Sequence, residues 1–214
     1  MESTKQEQSF MGVVKERRSV RNYDPAFNIS EQELKDILTE ATLAPSGANM
    51  QPWKFVVFND QALKEQLLPI ANNQQQVVNA SAVIAVLGDL EYIRQVDSVY
   101  DASVEAGYMT QEVKETLVTN MKGMLASMDP QYIKEGVIFD CGLVSMQLML
   151  AARARGYDTV AMAGYDKEKF TQAFDIPNHY VPTILIAIGK ASQPGHPTTR
   201  LPIHEMTFWN GITR

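Results

Sequence analysis

The stretch from Asp129 to Gly156 constrains the fold of this 214-residue chain more than any other. Asp129 is placed to cap a helix, Pro130 to open it and Gly156 to end it, so the pattern predicts one helix from Pro130 to about Arg155. At roughly 1.5 Å per residue it spans about 40 Å. Its middle, Leu143 to Leu150, is apolar nearly all round. Such a helix needs cover on every side, and in a chain this short a second copy of the chain is expected to supply part of it. The apolar run "VIFDCGLVSMQLMLAA" is shorter than about 18 residues and carries Asp140, Ser145 and Gln147, so it reads as a buried helix and not a membrane span.

Composition narrows the function. Hydrophobic residues make up 45% of the chain and charged ones 21%, enough for one sizeable core, and a single domain is expected. A formal net charge of −6 leaves no excess of Lys and Arg to release phosphate counterions, which argues against nucleic acid as a partner. Any anion must be held by local groups. Cys141 is the only cysteine, so no intramolecular disulfide forms, and its apolar helical company reads as a packed thiol. The N-terminal "MESTKQEQSF" lacks the apolar stretch of a leader, and a cytoplasmic location is expected. His179, His196 and His204 form no i, i+4 pair, so no metal site is expected. No GxSxG, GxGxxG or P-loop is present. If this chain is an enzyme, a cofactor carries the reaction.

Along the chain, Ser30 and Glu33 make a capping box ahead of a helix from Glu31 to about Leu43, which Pro45 stops. "WKFVVF" (Trp53 to Phe58) and "SAVIAVLG" (Ser81 to Gly88) read as strands, separated by a helix over "DQALKEQLLPI" capped by Asn59 or Asp60. From Leu90 to Ser127 the pattern predicts two helices broken near "AGYMT", an outer excursion and not core. A strand at Thr159 to Tyr165, a short helix from Asp166 and a strand at Tyr180 to Gly189 follow. The proline-rich tail, about 190–214, has little periodicity, and Phe208 with Trp209 suggests that it docks on something. Helices exceed strands, so the predicted class is α+β with one sheet.

Four separated features could carry chemistry. In "RRSVR", Arg17, Ser19 and Arg21 would point one way from an extended segment, two guanidinium forks flanking a hydroxyl, suited to a phosphate plus a further anion. A solvated basic turn is the plain alternative. "APSGANMQPWKF" (Ala44 to Phe55) sets small and polar residues between two prolines ahead of a strand; by itself it is a helix-to-strand connector. The "AGY" turn and Arg200 in the tail have equally plain readings.

Taken together and in this order, "RRSVRNYD", "APSGANMQPWKF", "AGYD" and "IGKASQPGHPTTRLP" resemble the FMN-dependent nitroreductase family over essentially the whole chain. The resemblance implies a mostly antiparallel central sheet flanked by helices, in an intertwined homodimer with two FMN sites at the subunit interface. The tail would cross to the partner, and the excursion at about 90–127 would form a helical lid. Position by position, it implies that Arg17, Arg18, Ser19 and Arg200 hold the FMN phosphate and that Arg21 lies near the pyrimidine end of the ring. Asn73 would face that edge, and Gln76 occupies a position often basic in relatives. Ala163 and Gly164 would offer backbone N–H groups, while Pro45, Ser46, Asn49 and Gln51 would come from the second subunit. Small residues let that loop lie against a flat cofactor, prolines stiffen it, and Trp53 anchors it to the sheet.

Departures from the family pattern are visible too. Ala163 stands where many relatives have glutamate, and Thr198 where they often have lysine, for which Lys190 could substitute. The implied activity is oxidation of NADH or NADPH through FMN with reduction of a nitroaromatic or quinone, in a ping-pong sequence. The flavin carries the reaction, and Arg21 and Gly164 tune it. Two alternatives stand beside this: a flavin-sequestering protein with little turnover, and another flavin reaction such as reductive dehalogenation.

Overall fold

The computed structural model describes residues 9–212. Residues 1–8, on which the reading of a leaderless N-terminus rests, and residues 213–214 of the tail lie outside them. The chain opens with α1 (Phe10–Glu16), started by Ser9, whose hydroxyl accepts from the Gly12 N–H. Then comes α2 (Glu31–Ala41), where Ser30 accepts from the Glu33 N–H as the capping box requires. Next are β1 (Trp53–Phe58), α3 (Gln61–Ile70) capped by Asp60, and the single turn α4 (Gln76–Asn79). The central strand β2 (Ala82–Asp89) leads into the helices α5 (Val96–Glu105) and α6 (Gln111–Ala126). The long helix α7 (Pro130–Ala154), capped by Asp129, precedes β3 (Asp158–Met162), α8 (Lys167–Ala173) capped by Asp166, and β4 (Tyr180–Gly189).

Among the described residues the strands form one sheet, order β1-β2-β4-β3, with every pair antiparallel. The α+β reading is therefore correct. Every residue of β2 is buried, because both faces of this interior strand are covered. Val83, Ala85 and Leu87 enter one core with Leu67 and Phe170, from α3 and α8. Ala82, Ile84 and Val86 enter the other with Leu34 and Ile37 of α2 and Val144 and Leu148 of α7. A continuous apolar run instead of an alternating one is what such double burial demands. Pro182, inside β4, sits opposite a register shift at Val86 and Leu87. The Thr183 hydroxyl donates to the Val86 carbonyl at 2.7 Å there, taking up an acceptor beside a residue with no N–H.

Helix α7 lies close against β2: a Cβ on Gly88 would come 2.4 Å from Val137 Cγ1, so any side chain at 88 would push helix from sheet. At its C-terminal end Arg155 forks onto Glu40 of α2, with Nε 3.0 Å from Oε2. It is the one helix among the described residues long and apolar enough to cross a membrane by length and composition. One face packs on the sheet, while Tyr132, Ile138, Phe139 and Met146 are exposed. This chain alone does not cover the helix on every side.

Two boundaries and one packing assignment correct the sequence reading. Helix α2 ends at Ala41, not Leu43, because Leu43 and Ala44 donate three residues back, to Glu40 and Ala41, and tighten the last turn ahead of Pro45. Strand β3 ends at Met162, not Tyr165, because the Gly164 carbonyl is taken by side chains of another loop. The excursion is not wholly peripheral: Val96, Tyr100 and Val118 bury Met50 in a small core of their own. Helix α1 and the single turn α4 have no counterpart in the sequence reading.

Candidate functional site

The basic segment follows α1 directly, with Arg17 as its C-cap. It runs extended along the sheet margin: Val20 donates to the Thr159 carbonyl at 3.1 Å, and Tyr23 bridges to Ala191. The chain beyond β4 returns over it. Ser192 donates to the Asn22 carbonyl at 2.9 Å, and Gly195 passes so close that a Cβ there would lie 2.7 Å from Arg18 Cβ. This path brings Arg200 back to the N-terminal arginines. The Arg17 guanidinium is held below its ordinary pKa by burial first and then by repulsion from Arg18 and Arg200. Arg18 is steadied by the carbonyls of Lys15 and Arg17, and Arg200 by Thr198 and the Thr199 carbonyl. Three guanidinium groups gathered without a carboxylate partner among the described residues make a site built for an anion. Arg21 is exposed, and its charge reaches the buried Tyr23 hydroxyl.

A second group forms where β3 ends. Asn72 and Asn73, both left-handed (φ 56° and 55°), turn the chain out of α3. Asn72 Nδ2 and Gln74 Nε2 both donate to the Gly164 carbonyl, at 2.8 and 3.1 Å. Ala163 and Gly164 are exposed, and their N–H groups meet no protein acceptor among the described residues. Gly164 is open space on its Cβ side. Gln76 is buried, its amide donating to Gln74 Oε1 and to Met162 Sδ, so this side chain is engaged within the protein. Lys190 is exposed, and its Nζ donates to the Gly156 carbonyl at 3.0 Å with further donors to spare.

The third group is the loop between Pro45 and Pro52. Ala48, Asn49 and Gln51 all have positive φ (50°, 57° and 48°), a conformation costing about 1–2 kcal/mol per non-glycine residue. The loop is held in it from outside and within. Asp140 of α7 accepts from the Gly47 N–H at 3.1 Å, the Tyr100 hydroxyl donates to the Ala48 carbonyl at 3.3 Å, and Ser46 Oγ accepts from the Gln51 N–H at 2.9 Å. Gln95 Nε2 donates to the carbonyls of Met50 and Gln51, at 2.5 and 3.1 Å. Its Oε1 accepts from Lys54 Nζ; an ammonium only donates, which fixes the orientation of the amide. Gln95, Tyr100 and Asp140 thus set the loop, and sequence reasoning missed them, as it missed Asn72 and Gly195. Gln95→Leu would strand two carbonyls, at about 1–3 kcal/mol. We expect the strained loop to relax and the melting temperature to fall by roughly 2–12 °C. A variant that melts with the parent would exclude the anchoring role.

The arginine cluster and the Asn72–Gly164 group both sit along β3, at its start and its end. No hydrogen bond or ion pair among the described residues joins either to the Pro45 loop, which instead borders a cavity of ≈ 710 Å³ with α6 and α7. Among the described residues no cluster of His, Cys, Asp or Glu could hold a metal. Cys141 is buried, its thiol pushed up to about 12 chiefly by burial and then by Asp140, which makes it an inert packing group.

Comparison with known proteins follows the same outline. The pattern of the nitroreductase family matches residues 14–190. YdgI of Bacillus subtilis (strain 168), named provisionally as an NAD(P)H nitroreductase, is 46% identical over 202 residues, covering 94% of this chain and 97% of its own. The CLA biosynthesis enone reductase of Lactiplantibacillus plantarum is 36% identical over 191 residues, 88% of each chain. A crystal structure from Exiguobacterium sibiricum 255-15, described provisionally as a nitroreductase and solved in complex with FMN, superposes with a TM-score of 0.93. It shares 47% identity and covers 97% of this chain and 100% of that one.

Proposed function

This chain belongs to the nitroreductase family, and from that premise we propose that it is a homodimeric enzyme that binds FMN without a covalent link. It oxidises NADH or NADPH and reduces a second substrate of nitroaromatic or quinone type. The observation that carries the reading is the arginine cluster. Arg17 is partly buried and repelled by both Arg18 and Arg200, and a bound phosphate would relieve that repulsion. The residues fit FMN: Arg17, Arg18, Ser19 and Arg200 would hold the phosphate, and the free N–H groups of Ala163 and Gly164 would meet the polar edge of the ring with Asn73. Gln76 is buried and engaged by Gln74 and Met162 and is left out of this set, while exposed Lys190, with donors to spare beyond Gly156, would add positive charge near the phosphate. The Pro45 loop, with Ser46, Asn49 and Gln51, would come from the second subunit. Its separation from the other two groups within one chain supports that division, as do the exposed apolar side chains of α7 and of the tail, Ile138, Phe208 and Trp209 among them.

The chemistry that FMN supplies when bound is hydride transfer, two electrons in from NAD(P)H and two out to the acceptor. The protein's own residues orient and stabilise. Arg21 would favour the negative charge that reduction places at the pyrimidine end of the ring, and backbone N–H groups at Ala163 and Gly164 would fix its edge. No acid–base triad is needed. The domain plan is a single unit in the cytoplasm with a lid at about 90–127; the expected partner-crossing tail of about 190–214 is narrowed to the stretch beyond Arg200, because residues 191–200 lie on their own chain.

The test is a visible spectrum of the purified protein, followed by anaerobic addition of NADH or NADPH and then an acceptor. A flavin spectrum that bleaches and returns repeatedly is expected, with parallel double-reciprocal lines for the two substrates. Intersecting lines would remove the ping-pong order. A protein that binds flavin but does not cycle would be a sequestering protein instead.

A further inference from the structure

Resting on the FMN reading above, we infer that the acceptor pocket is the cavity beside the Pro45 loop and that it selects uncharged acceptors over anionic ones. Pro45 and Ser46 line this ≈ 710 Å³ space, and they belong to the loop assigned to the flavin, so the cavity opens where an acceptor must stand. Its walls are apolar and adaptable: Met121, Met124 and Met128 on one side, Tyr132, Phe139 and Leu143 of α7 on the other. Methionine fills gaps of varying shape and contacts aromatic faces through its sulfur, which suits flat acceptors of more than one outline.

The charge census of the lining gives the selection. Asp140 and Glu135 are its only ionisable groups besides tyrosine, and no lysine, arginine or histidine lines it. An anion entering this space would lose water and meet two carboxylates with no cation on this wall to receive it, the place assigned to Arg21 being the pyrimidine end of the ring. Cations do occur close by, in a neighbouring cavity that shares Tyr92, Leu125 and Ile133. Both are already paired there, Arg94 with Glu91 at 2.6 Å and Lys122 with Asp97 at 2.8 Å. The nicotinamide reductant is compatible with this wall, because its reduced ring is uncharged and its phosphates lie at the far end of the molecule.

The matched pair 4-nitrobenzamide and 4-nitrobenzoate, nearly equal in shape, differs in charge, and its ratio is read relative to that for free reduced FMN because the amide also withdraws more electron density. Each turnover is ArNO2 + NADH + H+ → ArNO + NAD+ + H2O: two electrons and a proton come from NADH, a second proton comes from solvent, and the lost oxygen leaves as water. With the FMN-loaded enzyme we expect kcat/KM for the amide to exceed that for the carboxylate by about tenfold or more. Met124→Lys, at an exposed position of α6, should narrow the ratio by raising turnover of the carboxylate, while Met124→Leu should keep it. Equal kcat/KM for the pair, or a ratio that Met124→Lys leaves unmoved, would overturn the inference. So would failure to reduce either compound while NADH still bleaches the flavin. Failure of NADH to bleach it would overturn the underlying reading as well, and the spectrum separates the two cases.

Discussion

Arg17→Ala is expected to weaken FMN binding about 10- to 100-fold while leaving the melting temperature of the cofactor-free protein unchanged or slightly raised. The two signs differ because the guanidinium has two environments. Without an anion, Arg17 is partly buried beside Arg18 and Arg200 and is repelled by both, so its removal relieves strain. With a phosphate present, it would contribute a charge-assisted hydrogen bond worth roughly 1.5–3 kcal/mol. The stabilisation that added FMN confers should shrink by the same amount. Fluorescence titration gives the affinity, and melting curves with and without FMN give the two stabilities. A variant that melts lower when cofactor-free yet binds FMN normally would make Arg17 structural. Arg17→Lys should fall between, since it keeps the charge and loses the fork.

Phe170→Ala should cost about 3–5 kcal/mol, a melting temperature lower by roughly 6–20 °C. Phe170 is fully buried and stands edge-on to Phe58 and Tyr165, with ring centroids 6.0 and 5.7 Å away. It also packs on Phe174 at 5.2 Å. These rings clamp α8 to the sheet immediately after Gly164, and Asp166 donates its N–H to the Ile70 carbonyl in the same turn. Loss of the clamp should therefore weaken FMN binding as well as the fold. Phe170→Leu, which refills most of the volume, should recover the larger part of both. Thermal melts and flavin titrations of the two variants decide the point; a small shift for alanine would mean that the neighbouring rings close the void.

Features written in consecutive residues were legible in the sequence. Ser30 with Glu33, Asp60, and Asp129 with Pro130 start helices where caps and φ preferences require, and the apolar run of β2 announces burial on both faces. Features made by residues far apart in sequence were not legible. Met50 is a lone methionine in a polar loop until α5 and α6 fold over it, and Gln95 is an ordinary surface glutamine until Lys54 orients its amide. Glycine shows the same limit: "AGY" drew attention to Gly164, which is open on its Cβ side, whereas Gly195 makes the close approach that returns Arg200 to Arg17. Strand β3 continued by propensity past Met162, but Asn72 and Gln74 claim the Gly164 carbonyl. The basic and small-residue motifs were visible; the residues that hold them in place were not.

The burial of Met50 among Val96, Tyr100 and Val118 bears on how such a protein can diverge. Helices α5 and α6 pack chiefly on each other, so their outward residues can drift with little effect on the sheet. The inward residues have no such freedom, because the loop assigned to the flavin leans on them. A lineage acquiring a new acceptor can rewrite the rest of this helical pair, while Gln95, Tyr100 and the seat of Met50 stay fixed by the loop they hold.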